Sequence, residues 1–450
     1  MRDLIVTAVI LGLLPVCVIR PWMGALVWAW IGLMNPHKLT WGFAYYIPFA
    51  MIVAIATLAG FLLGRERRPL PRTAEVYLLF ALWGFFCLTT FTAINQIEAW
   101  DKLSQVSKIF LMTLVAMKLL QDPKRVRAFL WIIALSIGFF GVKGGIHSLL
   151  TGARSSVLGP SGSFIAGNTE IGTALIMVLP IMIFLRREER RPWVRFGLLA
   201  AILLTTMATL GTWSRGAFLG LGAVLFLLLV KGRRKLLLLG LMGVGFLGST
   251  TLLPEAWFER MESINPSSSS SSSSSRGESP AAGQARLRTW EVSYLLALDH
   301  PLVGAGFRPF TRATFAQYMP EYLEVHGRPQ DSHSIFFQVL AEHGFPGLAL
   351  YVALLAATWW RLRRLRRRTR GDPSLRWIFN CCDMLEVSLA GYVVSGIFLS
   401  LSYFDLYYYI VAVPSILQTM VGEGKGRRDG GAEEATLQPV PARAEASLVR

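Results

Sequence analysis

Between Arg195 and Lys231 the chain reads FGLLAAILLTTMATLGTWSRGAFLGLGAVLFLLLV, residues 196–230. Arg215 is the single charge in it. Basic clusters close it at both ends, Arg186/Arg187/Arg190/Arg191/Arg195 before and Lys231/Arg233/Arg234/Lys235 after. Two apolar runs fit between them, Gly197–Thr212 and Ala217–Val230. A pair of helices that crosses a bilayer and returns brings both basic clusters to one side, which the positive-inside rule makes cytoplasmic.

The same unit recurs in both directions. The clusters Arg65/Arg67/Arg68/Arg72 and Lys124/Arg125/Arg127 enclose Val76–Ile94 and Ile109–Leu120. Arg127 and Arg186 enclose Phe129–Leu150 and Ile171–Leu185. Lys235 and Arg361 enclose Leu236–Leu253 and Ile335–Trp360. The run Arg361 to Arg376 and the cluster Lys425/Arg427/Arg428 enclose Ile378–Leu401 and Leu406–Met420. Several runs approach the roughly 20 residues that span a bilayer as a helix. Two crossings each time place all six clusters on one side. Pro48–Leu63 must then enter from outside. Leu4–Asn35 is either one broken crossing or two short spans around Arg20. The start, Met1-Arg2-Asp3 and an apolar stretch, resembles a signal peptide but lacks a small-x-small cleavage site, so it reads as a retained span.

The expected fold is therefore all-α, a polytopic membrane bundle of 12 or 13 helices with one large periplasmic loop. Residues 1–185 form an N-terminal transmembrane region. Residues 186–376 form a core that includes the loop 254–332. Residues 377–421 form a C-terminal transmembrane pair, and 422–450 a disordered cytoplasmic tail. Composition agrees: 53% of the 450 residues are hydrophobic and 16% charged, too little charge to cover a soluble chain of this length.

The net charge of +17 does not point to nucleic acid, because the basic residues sit in short clusters between apolar runs. Cys17, Cys87, Cys381 and Cys382 lie in or beside apolar runs and read as small buried hydrophobes. No HxxxH or HExxH occurs, and Gly141-Val-Lys-Gly-Gly145 lacks P-loop spacing. Neither a metal nor a cofactor is expected.

On the outer side, the long loop carries the serine run Ser267–Ser275, a linker by composition. Beyond it, Leu287, Trp290, Tyr294 and Leu298 recur at helical spacing and predict an amphipathic helix on or near the membrane surface. His300-Pro301 ends that helix, and Val303-Gly-Ala-Gly-Phe307 is a glycine-rich turn.

Three residues on that side are candidates for chemistry. Arg215, in Gly211-Thr-Trp-Ser-Arg-Gly-Ala217, lies where the positive-inside rule disfavours it. It is either an anchor that snorkels beside Trp213 or an anion clamp whose fork suits phosphate oxygens. Arg286 and Arg288 open the loop helix near its start, where the helix field favours an anion. Two positions are about 200° apart on a helix, so only one of them faces a given site. Arg286 shares its face with Trp290, and Arg288 does not. His333, in Asp331-Ser-His-Ser334, marks the end of the loop. It is either a rim histidine bonded to backbone or a general base for a hydroxyl. His37, His147, His300, His326 and His343 have weaker cases, and His343 reads as a helix C-terminal residue before Gly344.

The order Ser214-Arg-Gly216, Arg286-Leu-Arg-Thr-Trp290, His300-Pro-Leu-Val-Gly-Ala-Gly306, His333-Ser and Glu342-His-Gly344 resembles the O-antigen ligase and polymerase superfamily over about residues 195–360. The stretches Pro21-Trp-Met-Gly24, Trp28 to His37 and Leu39 to Tyr45 are similar to a narrower branch, the O-glycosylation ligases associated with exosortase-type systems. The resemblance implies a metal-independent glycosyl transfer at the periplasmic face of the bacterial inner membrane, with inversion. The donor would be a glycan on undecaprenyl diphosphate, and the acceptor a hydroxyl of a lipid or protein. Arg215 and Arg286, with Arg288 and Trp290 beside them, would bind the donor, and His333 would be the base. The rivals are a polysaccharide polymerase with the same donor and, in a different class, a glycan or lipid transporter. A transporter would carry ionisable residues inside its spans, and few are visible.

Overall fold

The computed structural model of the protein describes residues 1–64, 68–232 and 281–436, and every regular element among them is helical. The expected span Leu236–Leu253, the serine run Ser267–Ser275 and the clusters at Arg65/Arg67 and Arg233–Lys235 lie outside the described residues. Three helices open the chain: α1 (Arg2–Ile19), α2 (Pro21–Met34) and α3 (Phe49–Leu63). Six follow: α4 (Ala74–Phe91), α5 (Gln96–Leu119), α6 (Pro123–Thr151), α7 (Asn168–Glu188), α8 (Pro192–Leu210) and α9 (Arg215–Lys231). The last group is α10 (Ala281–Asp299), the short α11 (Arg312–Tyr318) and α12 (Pro320–His326), then α13 (Ile335–Thr369), α14 (Arg376–Gly396) and α15 (Asp405–Thr436). Seven of the described helices are long and apolar enough to cross a membrane. The chain is an all-α, multi-pass membrane bundle.

The first 35 residues form two helices that fold back on each other. Asp3 in α1 accepts hydrogen bonds from the Gly42 (3.0 Å) and Ala44 (3.2 Å) amides, just beyond α2. At the other end, a Cβ on Gly60 of α3 would lie 2.2 Å from the Val18 carbonyl of α1. Residues 4–35 thus traverse the bundle twice. Pro21, with its fixed φ, starts α2 directly after the turn at Arg20. Arg20 shares a small cavity with Gly64, Leu119 and Arg125, so the turn lies at the Arg125 end of the bundle.

That end gathers the described basic clusters. Lys231 and Arg366 both bind Asp383, at 2.9 and 2.8 Å. Asn380 of α14 donates to Glu188 at 2.8 Å, and Arg361 pairs with Glu75 at 2.6 Å. The two-crossing rhythm read from charge is therefore the geometry of the helices. Glu75 is fully buried, and its other oxygen accepts from Ser415. Glu75→Gln keeps the shape and removes the charge-assisted bond. It is expected to cost about 1.5–3 kcal/mol of stability, read as a lower thermal midpoint in detergent. An unchanged midpoint would show that the pair contributes nothing.

Centre and periphery follow from the apolar pattern. A helix that is apolar all round belongs in the middle: 78% of the apolar window of α7 is buried, against 11% in α1. Gly141-Val-Lys-Gly-Gly145 proves to be a packing stretch, since a Cβ on Gly145 would lie 2.2 Å from the Leu204 carbonyl of α8. His37 is buried edge-on to Phe49 at 6.0 Å. Burial and the adjacent Lys38 hold its imidazole down to about 4, so it is a neutral packing residue. α15 continues to Thr436, where the sequence predicts a disordered tail from Gly422. No proline interrupts the chain between Pro414 and Pro439, whereas the five glycines Gly422, Gly424, Gly426, Gly430 and Gly431 disfavour a helix.

Candidate functional site

The end of the bundle opposite the basic clusters is organised around a break in α13. Gly344 has φ 64° and ψ −169°, and Pro346 follows two residues later. Proline has no amide hydrogen, so the Glu342 carbonyl loses its helical donor. It accepts from Gly306 instead, at 2.9 Å. Likewise the Ala341 carbonyl accepts from Ala305 (2.9 Å), and the Phe345 amide donates to Pro301 (3.0 Å). The Ala305 carbonyl in turn accepts from Ile94, after α4. The glycine-rich turn after α10 is thus threaded between α4 and the break in α13. A Cβ on Gly304 would lie 2.5 Å from the His343 and Gly344 amide nitrogens. Two of the motifs quoted above, His300–Gly306 and Glu342–Gly344, are the two halves of this lock.

His343 is not an exposed helix end. It is fully buried, stacked on Phe86 at 4.1 Å, with Nδ1 2.7 Å from Thr89 Oγ1 and Nε2 3.0 Å from Tyr403 OH. Tyr403 also donates to Glu342, whose other oxygen accepts from the Arg308 amide at 3.2 Å. Lys102 Nζ of α5 stands 5.0 Å from the Phe164 ring centroid and 5.6 Å from that of Tyr403. The expectation of few ionisable residues in the spans is corrected: Glu75, Glu342, Glu386 and Asp405 are all buried in the bundle. Their carboxylates were missed because single acids inside long apolar runs barely lower the run's hydropathy. The signal was there in Glu342-His-Gly-Phe-Pro346, an ionisable pair directly before two helix breakers.

His333 lies two residues before α13. Its φ of 48° is a left-handed conformation that a residue with a side chain adopts only where its surroundings impose it. The neighbours do so. Ser332 Oγ lies 3.3 Å from Ser400 Oγ, and the Ser332 carbonyl accepts from Trp290 Nε1 at 2.8 Å. Trp213, two residues before Arg215, has φ 57°, and Arg308 has φ 53°. Three of the five non-glycine left-handed residues among those described therefore fall in the outer-end motifs and the turn beside them.

Arg215 is half-buried at the first position of α9, behind the N-cap Ser214. Ser214 accepts from the Ala217 amide and donates to Thr169 Oγ1 of α7, both at 3.2 Å. The next residue, Gly216, faces the end of α14: a Cβ there would lie 3.3 Å from Phe398. Phe398 is also 6.5 Å from Trp290, which stacks on Phe337 at 5.0 Å. The residues flanking Arg215, Arg286 and His333 thus meet around one turn, residues 395–400. The N-termini of α9 and α13 lie there, with Gly216 facing Phe398 and Ile335 facing Gly396, and helix N-termini favour an anion.

α10 packs on the bundle through a side other than the apolar stripe read from its spacing. Trp290 turns inward, but Leu287, Tyr294 and Leu298 are about half exposed or more. The buried side is Ala285, Thr289, Val292, Ser293 and Leu296. Trp290 is about 60° around the helix from Leu287, at the edge of the stripe nearer the bundle, and the small residues let α10 approach α13. Tyr318 of α11 ties in the other end by donating to Asp299 at 2.6 Å. Burial and that carboxylate push its hydroxyl up to about 12.

The two loop arginines part as their spacing requires. Arg286 is half-buried on the Trp290 side. Arg288 is exposed and pairs with Glu291 at 3.2 Å, so the structure does not bring it to the other candidates. Arg288→Ala is expected to leave glycan transfer within about twofold of wild type, since exposed pairs of this kind contribute little. A tenfold loss would return Arg288 to the site.

Residues 199–352 match the O-Antigen ligase family. Residues 1–190 match a family of unknown function (DUF5935), and the stretches Pro21 to Tyr45 that resemble the exosortase-associated branch fall within it. No curated protein matches the chain.

Proposed function

We propose that this chain, whose residues 199–352 match the O-antigen ligase family, transfers a glycan from an undecaprenyl-diphosphate donor to an acceptor hydroxyl at the outer face of a bacterial inner membrane. The observation that carries the reading is the meeting of the Arg215, Arg286 and His333 segments around residues 395–400, at the end away from the basic clusters. Displacement at the anomeric carbon leaves a diphosphate, whose growing negative charge needs fixed positive partners. Arg215 and Arg286, together with the N-termini of α9 and α13, supply them. His333 takes the proton of the attacking hydroxyl. Attack opposite the leaving group inverts the anomeric centre, as in inverting glycosidases. Trp290 holds the α10 backbone against Ser332 and so sets the Arg286–His333 spacing.

A polymerase with the same donor differs only in its acceptor, a second lipid-linked glycan. Three of the four buried carboxylates offer little to a transporter reading, because Glu75, Glu342 and Glu386 are each held by a side chain of another segment. The test offers purified protein a lipid-diphosphate glycan with lipid, peptide and glycan acceptors. Arg215→Ala and Arg286→Ala are each expected to lower transfer by about 10²–10³-fold, with donor accumulating in cells. Wild-type transfer by both, and by a His333 variant, would remove the ligase reading.

A further inference from the structure

We infer that the basic end of the bundle holds a binding site for the phosphate headgroup of an anionic phospholipid, remote from the site of glycan transfer. The described residues enclose a cavity of about 1800 Å³ there, at the α7–α8 and α13–α14 connections. Ten lysine and arginine side chains line it against four carboxylates. The four acids already have partners. Asp383 takes Lys231 and Arg366, Glu188 takes Asn380, Glu189 takes the Arg190 and Arg191 amides, and Asp372 takes Ser374. Arg187, Arg190, Arg191, Arg367 and Arg370 make no ion pair among the described residues and are exposed to the cavity's solvent.

Topology alone does not explain this arrangement. The positive-inside rule requires basic residues in the loops on one side. It does not require loops more than 170 residues apart in sequence to direct their guanidinium groups into one hollow, where like charges repel. A multiply charged anion offsets that repulsion, and arginine forks suit phosphate oxygens. The walls say which anion. Trp131 and Trp377 line the same cavity with Leu185 and Phe379, and Trp193 beside it is 70% exposed. Tryptophans at this level mark the bilayer interface, and basic pockets between helices there suit dianionic headgroups. A soluble polyanion has no use for the apolar wall, whereas an acyl chain does.

The test uses the full chain in neutral detergent, titrated with diphosphatidylglycerol, phosphatidylglycerol or phosphatidylcholine and read by native mass spectrometry. Diphosphatidylglycerol is expected to bind more tightly than phosphatidylcholine by on the order of 10- to 100-fold. The triple variant Arg190→Gln/Arg191→Gln/Arg370→Gln should lose that preference. A control triple on the same helix end but off the cavity, Arg363→Gln/Arg364→Gln/Arg368→Gln, should keep it within about twofold. Equal losses in the two triples would reduce the effect to general surface charge and overturn the site. Inorganic pyrophosphate binding as tightly as the lipid would overturn the lipid assignment. If the cavity triple does not fold, wild-type protein showing no preference among the three lipids overturns the proposal by itself. Glycan transfer is not the readout, so this outcome is independent of the function proposed above.

Discussion

Replacing His333 by alanine is expected to lower glycan transfer by about 10²–10⁴-fold, the usual weight of a positioned general base, while the protein stays folded and inserted. The position supports both halves of that statement. His333 precedes α13 and is half-buried, so its side chain is not part of the packed core. Its left-handed backbone is imposed by neighbours, through Ser332 with Ser400 and Trp290. A strained residue held by others, at the meeting point of helix N-termini, fits a role in chemistry better than one in packing. The check is transfer from a lipid-diphosphate glycan by purified wild type and variant, with thermal midpoints measured in parallel. Loss of transfer at an unchanged midpoint supports the base assignment. Unchanged transfer removes it, and His333→Gly separates strain relief from loss of the imidazole.

Gly304→Ala is expected to be the most damaging small substitution outside the proposed chemistry, costing about 3–5 kcal/mol through left-handed strain and overpacking. Gly304 has φ 65°, and a Cβ there would meet the His343 and Gly344 amides at 2.5 Å. Those atoms are backbone and cannot rotate away. Displacing them would also pull the Ala305 and Gly306 amides from the Ala341 and Glu342 carbonyls. The measurement is the thermal midpoint and the yield of inserted protein. Gly327, also left-handed (φ 70°) but with nothing within 4 Å of its Cβ, is the control. Gly327→Ala should cost only about 1–2 kcal/mol. Equal losses at both positions would mean that backbone conformation, and not the interlock, sets the effect.

The bundle was legible because it rests on local quantities. Apolar runs and the basic clusters between them are readable one window at a time, and their alternation sets the order of crossings. Arg215, Arg286 and His333 stood out as candidates for a related reason: each is a polar residue beside an apolar run on the side where charge is disfavoured, although α10 begins at Ala281 and Arg286 lies in its second turn. Other features were not local. The turn at Arg20 was ambiguous because residues 4–35 can be divided into one run or two, and the decision comes from Asp3 and Gly60 meeting other segments. The side of α10 that meets α13 was not legible because spacing gives angles but not the neighbour, and small residues rather than large ones make that contact. His343 appeared as a helix end because Gly344 does break the helix, yet the turn at Gly304–Gly306 fills the break and buries it.

The sequence by itself determined the class of the molecule and the end of the bundle at which each candidate residue stands. Bilayer crossing depends on the summed transfer energy of consecutive side chains, a property of the chain alone. Only the tertiary structure decided which of those residues share a place. The segments around Arg215, Arg286 and His333 come together through Phe398, Ser400 and Trp290, and the break at Gly344 exists to receive the Gly304 turn. Such pairings are set by shape and by hydrogen-bond donors left over at helix breaks. These are satisfied by partners far away in sequence, and no window along the chain contains both members.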